Sequence, residues 1–284
     1  MSGACLPDIL IEPVVRAALL EDLGRAGDVT TDAIVPAAMT ATGEIVAREP
    51  GTVAGVRAAE LAFRLLDPTM RARVLAPDGT PVARDDVVMR LTGSARMLLS
   101  GERVALNVLC RLSGIATATA QLVAAVEGHG VAITCTRKTT PGLRALEKAA
   151  VRAGGGANHR FGLDDAVLIK DNHIALAGGV VPAVERARRS VGHLVKIEVE
   201  VDTLEQLAEA MSVAPDAVLL DNMTPAQLND AVALVDGRAV TEASGRITLA
   251  TAAAVAATGV DIISVGWLTH SAKSLDLGLD IAPG

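Results

Sequence analysis

The second half of this chain carries a rhythm that few folds can accommodate. Six short apolar segments, 131–136, 166–170, 195–201, 217–221, 239–243 and 261–265, read as strands, and the last four begin 22 residues apart. Between them lie helical patterns at 203–212, 224–235 and 248–258, with Thr203, Thr224 and Thr248 placed as N-caps or first-turn residues. Strand–helix alternation at this spacing means βα units and a parallel sheet, because parallel neighbours need a crossover. Units this short favour a barrel over an open sheet, although the sequence alone leaves closure open.

The first half has a different texture. Residues 8–23 have helical spacing and are stopped by Gly24 and Gly27, with Pro13 inside the opening turns. Residues 40–95 read as short strands punctuated by EPG and PDGT turns. From about Ser100 the pattern is helical again, and a domain boundary near 110–115 falls inside or beside a long helix. Half of the 284 residues are hydrophobic but only Phe63, Phe161 and Trp267 are aromatic, so the core is built from Ala, Val, Leu and Ile. So few rings make no stacking platform for single-stranded nucleic acid. A net charge of −7 disfavours DNA and anionic membrane as partners. Cys5, Cys110 and Cys135 form no zinc spacing and read as reduced thiols of a cytoplasmic protein. No signal peptide is expected, and with no run of about 18 apolar residues no transmembrane helix is expected either. Neither a dinucleotide fingerprint after a strand nor a Walker A motif is present.

A parallel strand buried on both faces should be apolar throughout. Here the strands end in polar groups instead: Thr136-Arg137-Lys138, Lys170-Asp171-Asn172, Glu198 and Glu200, Asp221-Asn222, Glu242 with Ser244-Gly245, and Gly266. In βα barrels the active site lies at the strands' C-terminal face, so six polar ends on one rim point to function. Residues 136–170 hold seven Lys/Arg against three acids. Arg144, Lys148 and Arg152 read as helix-surface charge. Arg137, Lys138, Arg160 and Lys170 sit at strand ends or just after Gly154-Gly155-Gly156, and describe a pocket for carboxylates or phosphates. Ser244-Gly245 and Gly266 follow the last two strands, the usual place for a barrel's phosphate loops. Glu200 and Asp221 end neighbouring strands. They could hold sugar hydroxyls, a Mg²⁺ ion or developing positive charge, or serve as salt-bridge partners for the cations.

These residues carry a resemblance. T-R-K-T-x-P-G-L-R at 136–144, G-G-x-N-H-R-x-G-L at 155–163 and L-I-K-D-N-H at 168–173 closely resemble quinolinate phosphoribosyltransferase. E-V-E-V at 198–201, L-L-D-N at 219–222, E-A-S-G at 242–245 and V-G-x-L-T-H-S at 265–271 continue the match. So do stretches at 21–31 and 102–117, so that nearly the whole chain is covered.

The resemblance implies an α/β fold of type II phosphoribosyltransferase architecture. An N-terminal α/β sandwich domain spans 1–112, an incomplete α/β barrel spans 113–270, and residues 271–284 pack back on the N-terminal domain. It implies that quinolinate and phosphoribosyl pyrophosphate give nicotinate mononucleotide, pyrophosphate and CO₂ on the de novo route to NAD. Mg²⁺ is implied, held mainly by pyrophosphate and water near Glu200 and Asp221, with no organic cofactor. A homodimer or larger homo-oligomer with shared sites is implied too, in which Arg103 enters the partner's pocket. Arg137, Arg160 and Lys170, with that Arg103, are expected to grip the two carboxylates, with His159 in the same wall unless it is a purely structural histidine. Lys138 is expected on the phosphoribosyl pyrophosphate, with Glu200 and Asp221 on its ribose hydroxyls, and Thr136 is expected among the substrate-binding residues. Lys138, Glu200 and Asp221 are the implied catalytic residues. Ser244, Gly245, Arg246, Val265, Gly266 and Trp267 are expected around the 5′-phosphate, and His270 beside them. The chain departs from the family at Arg246, where a second glycine is common, and at Trp267, where a small residue is common. A paralogue with another substrate, or a sensing domain without turnover, would share the pocket. The intact K-D-N-H motif favours quinolinate, and Glu200 with Asp221 favours turnover.

Overall fold

The computed structural model describes residues 6–283, so Cys5 and the start of the segment read for a signal peptide lie outside the described residues. The chain begins with α1 (Asp8–Leu23) and α2 (Val29–Ile34), then β1 (Thr40–Ala47), β2 (Gly51–Thr52) and α3 (Val56–Leu66). β3 (Arg71–Val74), β4 (Pro81–Val82) and β5 (Val87–Ser94) lead into α4 (Ala95–Ala125). There follow β6 (Ala132–Thr134), α5 (Arg144–Ala153), β7 (Val167–Ile169), α6 (Asp171–Ala177) and α7 (Val180–Ser190). Strict alternation then gives β8 (Ile197–Val201), α8 (Leu204–Met211), β9 (Ala217–Asp221), α9 (Pro225–Val235), β10 (Val240–Ser244), α10 (Leu249–Ala256) and β11 (Ile262–Ser264). The last elements are α11 (Trp267–His270) and β12 (Leu277–Pro283).

Two compact units result. One holds the residues up to Ala120, Thr139–Gly155 and those from Leu268 onward; the other holds Gln121–Lys138 and Gly156–Trp267. The first is built on an antiparallel sheet in the order β12-β1-β5-β3. β1 alternates, with Ala41, Gly43 and Ile45 buried and Thr42 and Glu44 turned outward, as a strand with one solvated face should. β12 pairs with β1 from Ala41↔Pro283 to Ala47↔Leu277, so the C-terminal segment closes the sheet's edge. The helix α3 lies inside the stretch read as strands. Its inward residues, Ala58, Ala59, Ala62 and Phe63, follow helical spacing, and the flanking turn signals hid that period.

The helix α4 is long and apolar enough, by length and composition alone, to cross a membrane. Half of its most apolar window is buried, and Leu98, Ala105, Leu109 and Ile115 are core residues, which makes it a central core helix. At Gly114 a Cβ would stand 2.1 Å from the Lys273 carbonyl oxygen, so only glycine lets that backbone pass. The helix α5 corrects another expectation. Of Arg144, Lys148 and Arg152 only Arg152 is exposed; Lys148 is 2% exposed, and Arg144 donates to Thr139 Oγ1 (3.0 Å). The stripe of Leu146, Ala150 and Val151 carries positions 147 and 148 inward with it.

The second unit is the expected parallel sheet, in the order β6-β11-β10-β9-β8-β7. Its first strand pairs with its last, and a parallel bridge from Thr134 to Ala157 extends the β6 edge. Six strands stand where a complete barrel has eight. Thr203, Thr224 and Thr248 are the N-caps of α8, α9 and α10, and Thr203 and Thr224 accept from the backbone N–H of Gln206 and Gln227.

Candidate active site

Because the six strands are parallel, their C-terminal ends share one rim. Thr136, Arg137 and Lys138 follow β6, Lys170 follows β7, and Glu200 and Asp221 stand at or next to the ends of β8 and β9. Ser244-Gly245-Arg246 ends β10, and Val265-Gly266-Trp267 follows β11.

Two of the expected site cations, Arg137 and Arg160, keep a buried donor unmet. Arg160 donates from Nη1 to the Ala166 carbonyl (2.9 Å), but its Nε is buried with no hydrogen-bond partner, and so is the Nε of Arg137. Burial first, and then the neighbouring Arg137 charge, pull the Arg160 guanidinium below its ordinary pKa, with Asp165 and Glu198 opposing. Two like charges are thus held close with buried donors unmet. Buried donors left unpaired are costly, and an anion with acceptors in the right place removes that cost.

The carboxylates differ. Glu200 pairs with Lys170 Nζ, so the two residues expected on different substrates touch each other. Asp221 accepts from Asn222 Nδ2 (2.6 Å). Asn222 has φ 54°, a left-handed conformation that asparagine tolerates, and its N–H donates to the Ser244 carbonyl (3.0 Å). Gly245, at φ +117°, packs on that turn: a Cβ would lie 2.7 Å from Asn222 Oδ1 and 3.0 Å from its backbone N. The loop after β10 therefore needs glycine at 245 but not at 246, where Arg246 is exposed. Trp267 donates its indole N–H to the Ile247 carbonyl (2.9 Å) and so ties the loop after β11 to the loop after β10. Lys138 is exposed, with its backbone N–H on Thr136 Oγ1 (3.0 Å). The histidine of K-D-N-H, His173, accepts from the Lys170 N–H (3.0 Å) and ties the turn itself.

His159 turns from the rim towards the barrel lumen. Its Nδ1 accepts from the Arg160 backbone N–H (2.8 Å), and its Nε2 lies 2.9 Å from Glu198 and 3.6 Å from Glu242. Sequence reasoning saw Glu198 and Glu242 only as part of the rim. They stand at interior strand positions, 9% and 2% exposed, and a charge there in a buried parallel strand was the signal that could have singled them out. Burial, and next the Glu198 charge, push the Glu242 carboxyl up to about 7. Cys135 is buried, and its thiol donates to Asn158 Oδ1 (3.2 Å).

Two expected residues belong to the other unit. Arg103 is exposed on α4, and His270 is exposed with Nδ1 2.6 Å from Ser271 Oγ. In that unit the T-T-P-G-L stretch is anchored by Glu147. Fully buried, it accepts from the Thr140 N–H (3.0 Å) and hydroxyl (2.8 Å) and from Arg111 (3.0 Å), which also donates to the carbonyls of Thr269 and Ala272.

A parallel α/β unit with unmet guanidiniums on its rim and tight small-residue loops after its last strands is an enzyme scaffold for a multiply anionic substrate. Comparison with known proteins gives the family. Residues 28–113 match the quinolinate phosphoribosyl transferase N-terminal domain, and residues 115–280 match the C-terminal domain of the same family. The chain is 47% identical over 262 residues to the probable carboxylating nicotinate-nucleotide pyrophosphorylase of Bacillus subtilis, covering 92% of this chain and 90% of that one. It is 48% identical over 275 residues to the corresponding Mycobacterium leprae protein, covering 94% and 95%. The NadC crystal structure from Streptococcus pyogenes superposes with a TM-score of 0.96 at 40% identity, over 99% of this chain and 100% of that one. The chain belongs to the quinolinate phosphoribosyltransferase family.

Proposed function

We propose that this chain performs the reaction its family is named for: phosphoribosyl transfer to quinolinate with decarboxylation, giving nicotinate mononucleotide, pyrophosphate and CO₂ for NAD synthesis. The observation that carries the substrate is the pair Arg137 and Arg160, like-charged neighbours with buried Nε donors unmet. A rigid pyridine dicarboxylate supplies two planar acceptors for two planar forks. Lys170 completes the grip, His159 backs the wall, and Arg103 of the partner subunit closes it in a homodimer. Thr136 and Lys138 take the phosphoribosyl pyrophosphate, and Glu200 and Asp221 take its ribose hydroxyls. Ser244, Gly245, Arg246, Val265, Gly266 and Trp267 surround the 5′-phosphate, with His270 three residues further along the chain. The enzyme works in the cytoplasm, without nucleic acid or membrane as partner.

The chemistry follows from these placements. The bond from C1 of the ribose to the pyrophosphate oxygen breaks as the bond from the pyridine nitrogen to C1 forms. Glu200 and Asp221, fixed beside the sugar, stabilise the positive charge that develops at C1. When the 2-carboxylate leaves as CO₂, the electron pair of the broken C–C bond stays on C2, stabilised by the adjacent positive pyridinium nitrogen, and takes up a proton. The hard oxygen donors of Glu200 and Asp221 suit Mg²⁺, which when bound with the pyrophosphate neutralises the leaving group's charge.

The test is CO₂ release from purified protein given quinolinate, phosphoribosyl pyrophosphate and Mg²⁺, with nicotinate as control. Release that requires all three components and does not occur with nicotinate supports the reading; binding of quinolinate without release makes the chain a sensing domain. The shared site is tested by mixing Arg103→Ala and Lys170→Ala chains. Hybrid dimers regain activity, and no recovery despite proven subunit exchange removes the partner's arginine from the site.

A further inference from the structure

The lumen beneath the rim holds a cluster in which His159 meets two carboxylates, Glu198 and Glu242, that the reaction above does not use. His159, Glu198 and Glu242 present ligand-type atoms that all lie within 4.8 Å of one another. A cavity of about 420 Å³ reaches them, lined also by residues at the strands' N-terminal ends such as Ala132, Val167 and Ala217. Oε1 of Glu242 is buried there, and Ser264 of β11 stands beside that carboxyl.

The donor set resembles a metal site, but the histidine argues against it. Nδ1 of His159 accepts the Arg160 N–H, so its lone pair is in use and the ring proton sits on Nε2. An Nε2–H donates to a carboxylate and offers no lone pair to a metal ion. Swapping the tautomer would set an Nδ1–H against the Arg160 N–H at 2.8 Å. The ring is therefore a fixed spacer. One nitrogen is held by the acidic pair below, and the other holds the backbone of Arg160, whose guanidinium the proposed function assigns to the dicarboxylate.

We infer that Glu242 is a positioning residue and charge switch for the dicarboxylate grip, acting with Glu198 through His159 on Arg160. The inference rests on the reading of Arg137 and Arg160 as the quinolinate clasp. Protonated, Glu242 leaves the lumen with one carboxylate, Glu198, matched by the His159 N–H. Ionised, it adds a second negative charge, which pulls on the His159 N–H and opposes a dianion arriving above. The groups facing Glu242 are Glu198 from β8, His159 and Arg160 from the segment beside β6, and Lys170 after β7. Asp165 lines the same cavity, and so do Lys196 and Asp216, which pair with each other at 2.6 Å. In the cavity β6, β9 and β11 present Ala132, Thr134, Ala217 and Ile262, none of which titrates there.

The experiment uses the full chain. The KM for quinolinate and for phosphoribosyl pyrophosphate is measured from about pH 6 to pH 8.5 for wild type and Glu242→Gln. In wild type the quinolinate KM rises about threefold or more through neutral pH, while the other KM moves less than about twofold. In Glu242→Gln, which keeps the shape but cannot ionise, that rise disappears. A rise that persists in Glu242→Gln, or both KM values moving together, overturns the inference. An enzyme inactive in wild type overturns the reaction instead. ¹⁵N-histidine spectra of wild type serve should the variant fold poorly, with the His159 signals assigned by their loss in His159→Gln. The neutral Nε2–H tautomer is expected; an Nδ1–H ring, or a signal displaced by added Zn²⁺, makes the cluster a metal site and overturns the inference.

Discussion

Named arginines of the two units stand in contrast. In the antiparallel unit Arg57 pairs with Asp8 and Glu60, Arg96 with Asp32, and Arg111 with Glu147 and two carbonyls. In the parallel unit Arg137 and Arg160 keep buried Nε donors unmet. The same side chain is a structural tie where the fold supplies its acceptors and a binding group where a ligand must. On the proposed function the difference teaches that a buried guanidinium donor left unmet by the fold, more than local charge density, marks Arg137 and Arg160 for the ligand.

Four substitutions break or sharpen that contrast. Arg137→Ala has the largest effect: losing two charge-assisted hydrogen bonds at ~1.5–3 kcal/mol each weakens quinolinate binding by roughly 10²–10⁴-fold. Calorimetric titration reads this, while the melting temperature stays close to wild type. Arg111→Ala does the reverse. It strands the fully buried Glu147 and costs about 3–5 kcal/mol of stability in denaturant unfolding. If Arg111→Ala leaves stability untouched, the contrast collapses.

Glu242→Gln comes third. A carboxyl raised in the folded state from 4.5 to about 7 contributes stability that is full below pH 4.5 and is lost as pH rises through 7. The glutamine has no such loss, so the variant's advantage grows across that window and levels off above it, at up to roughly 3 kcal/mol. Unfolding at a series of pH values checks the slope. The smallest effect is that of Glu200→Gln, which releases Lys170 from its half-exposed ion pair. Turnover falls, yet quinolinate binds about two- to fivefold more tightly, the scale of a solvent-screened pair. Weaker quinolinate binding in that variant places Glu200 in the dicarboxylate grip.

The parallel unit was legible because its strands repeat one pattern, mostly apolar with a polar end, broken inside only by groups such as Glu198 and Glu242, and because threonine caps announce α8, α9 and α10. The helix α3 was not, since its alanine-rich face sits between turn signals that suit strands equally well. Lys148 was misplaced for a related reason: spacing shows which residues share a helix face but not how many faces are enclosed. At the site, rim membership follows from strand polarity, so Lys170, Glu200 and Asp221 could be read directly. Their pairing could not: that Lys170 meets Glu200, and that Trp267 ties the loop after β11 to Ile247, depends on side-chain reach across strands. His159 shows the limit most clearly. Its motif marks the site, but its ring nitrogens are engaged by the Arg160 backbone and by Glu198, a residue 39 positions away.

The central claim is that Arg137 and Arg160 are held in readiness for a doubly charged pyridine. A crystal structure of the protein with quinolinate tests it most directly. The account predicts each carboxylate within hydrogen-bonding distance of an arginine Nε that is unmet in the free protein, with Lys170 turned from Glu200 towards the ring. Quinolinate bound in the lumen cavity or elsewhere, with both Nε donors still unmet, contradicts it.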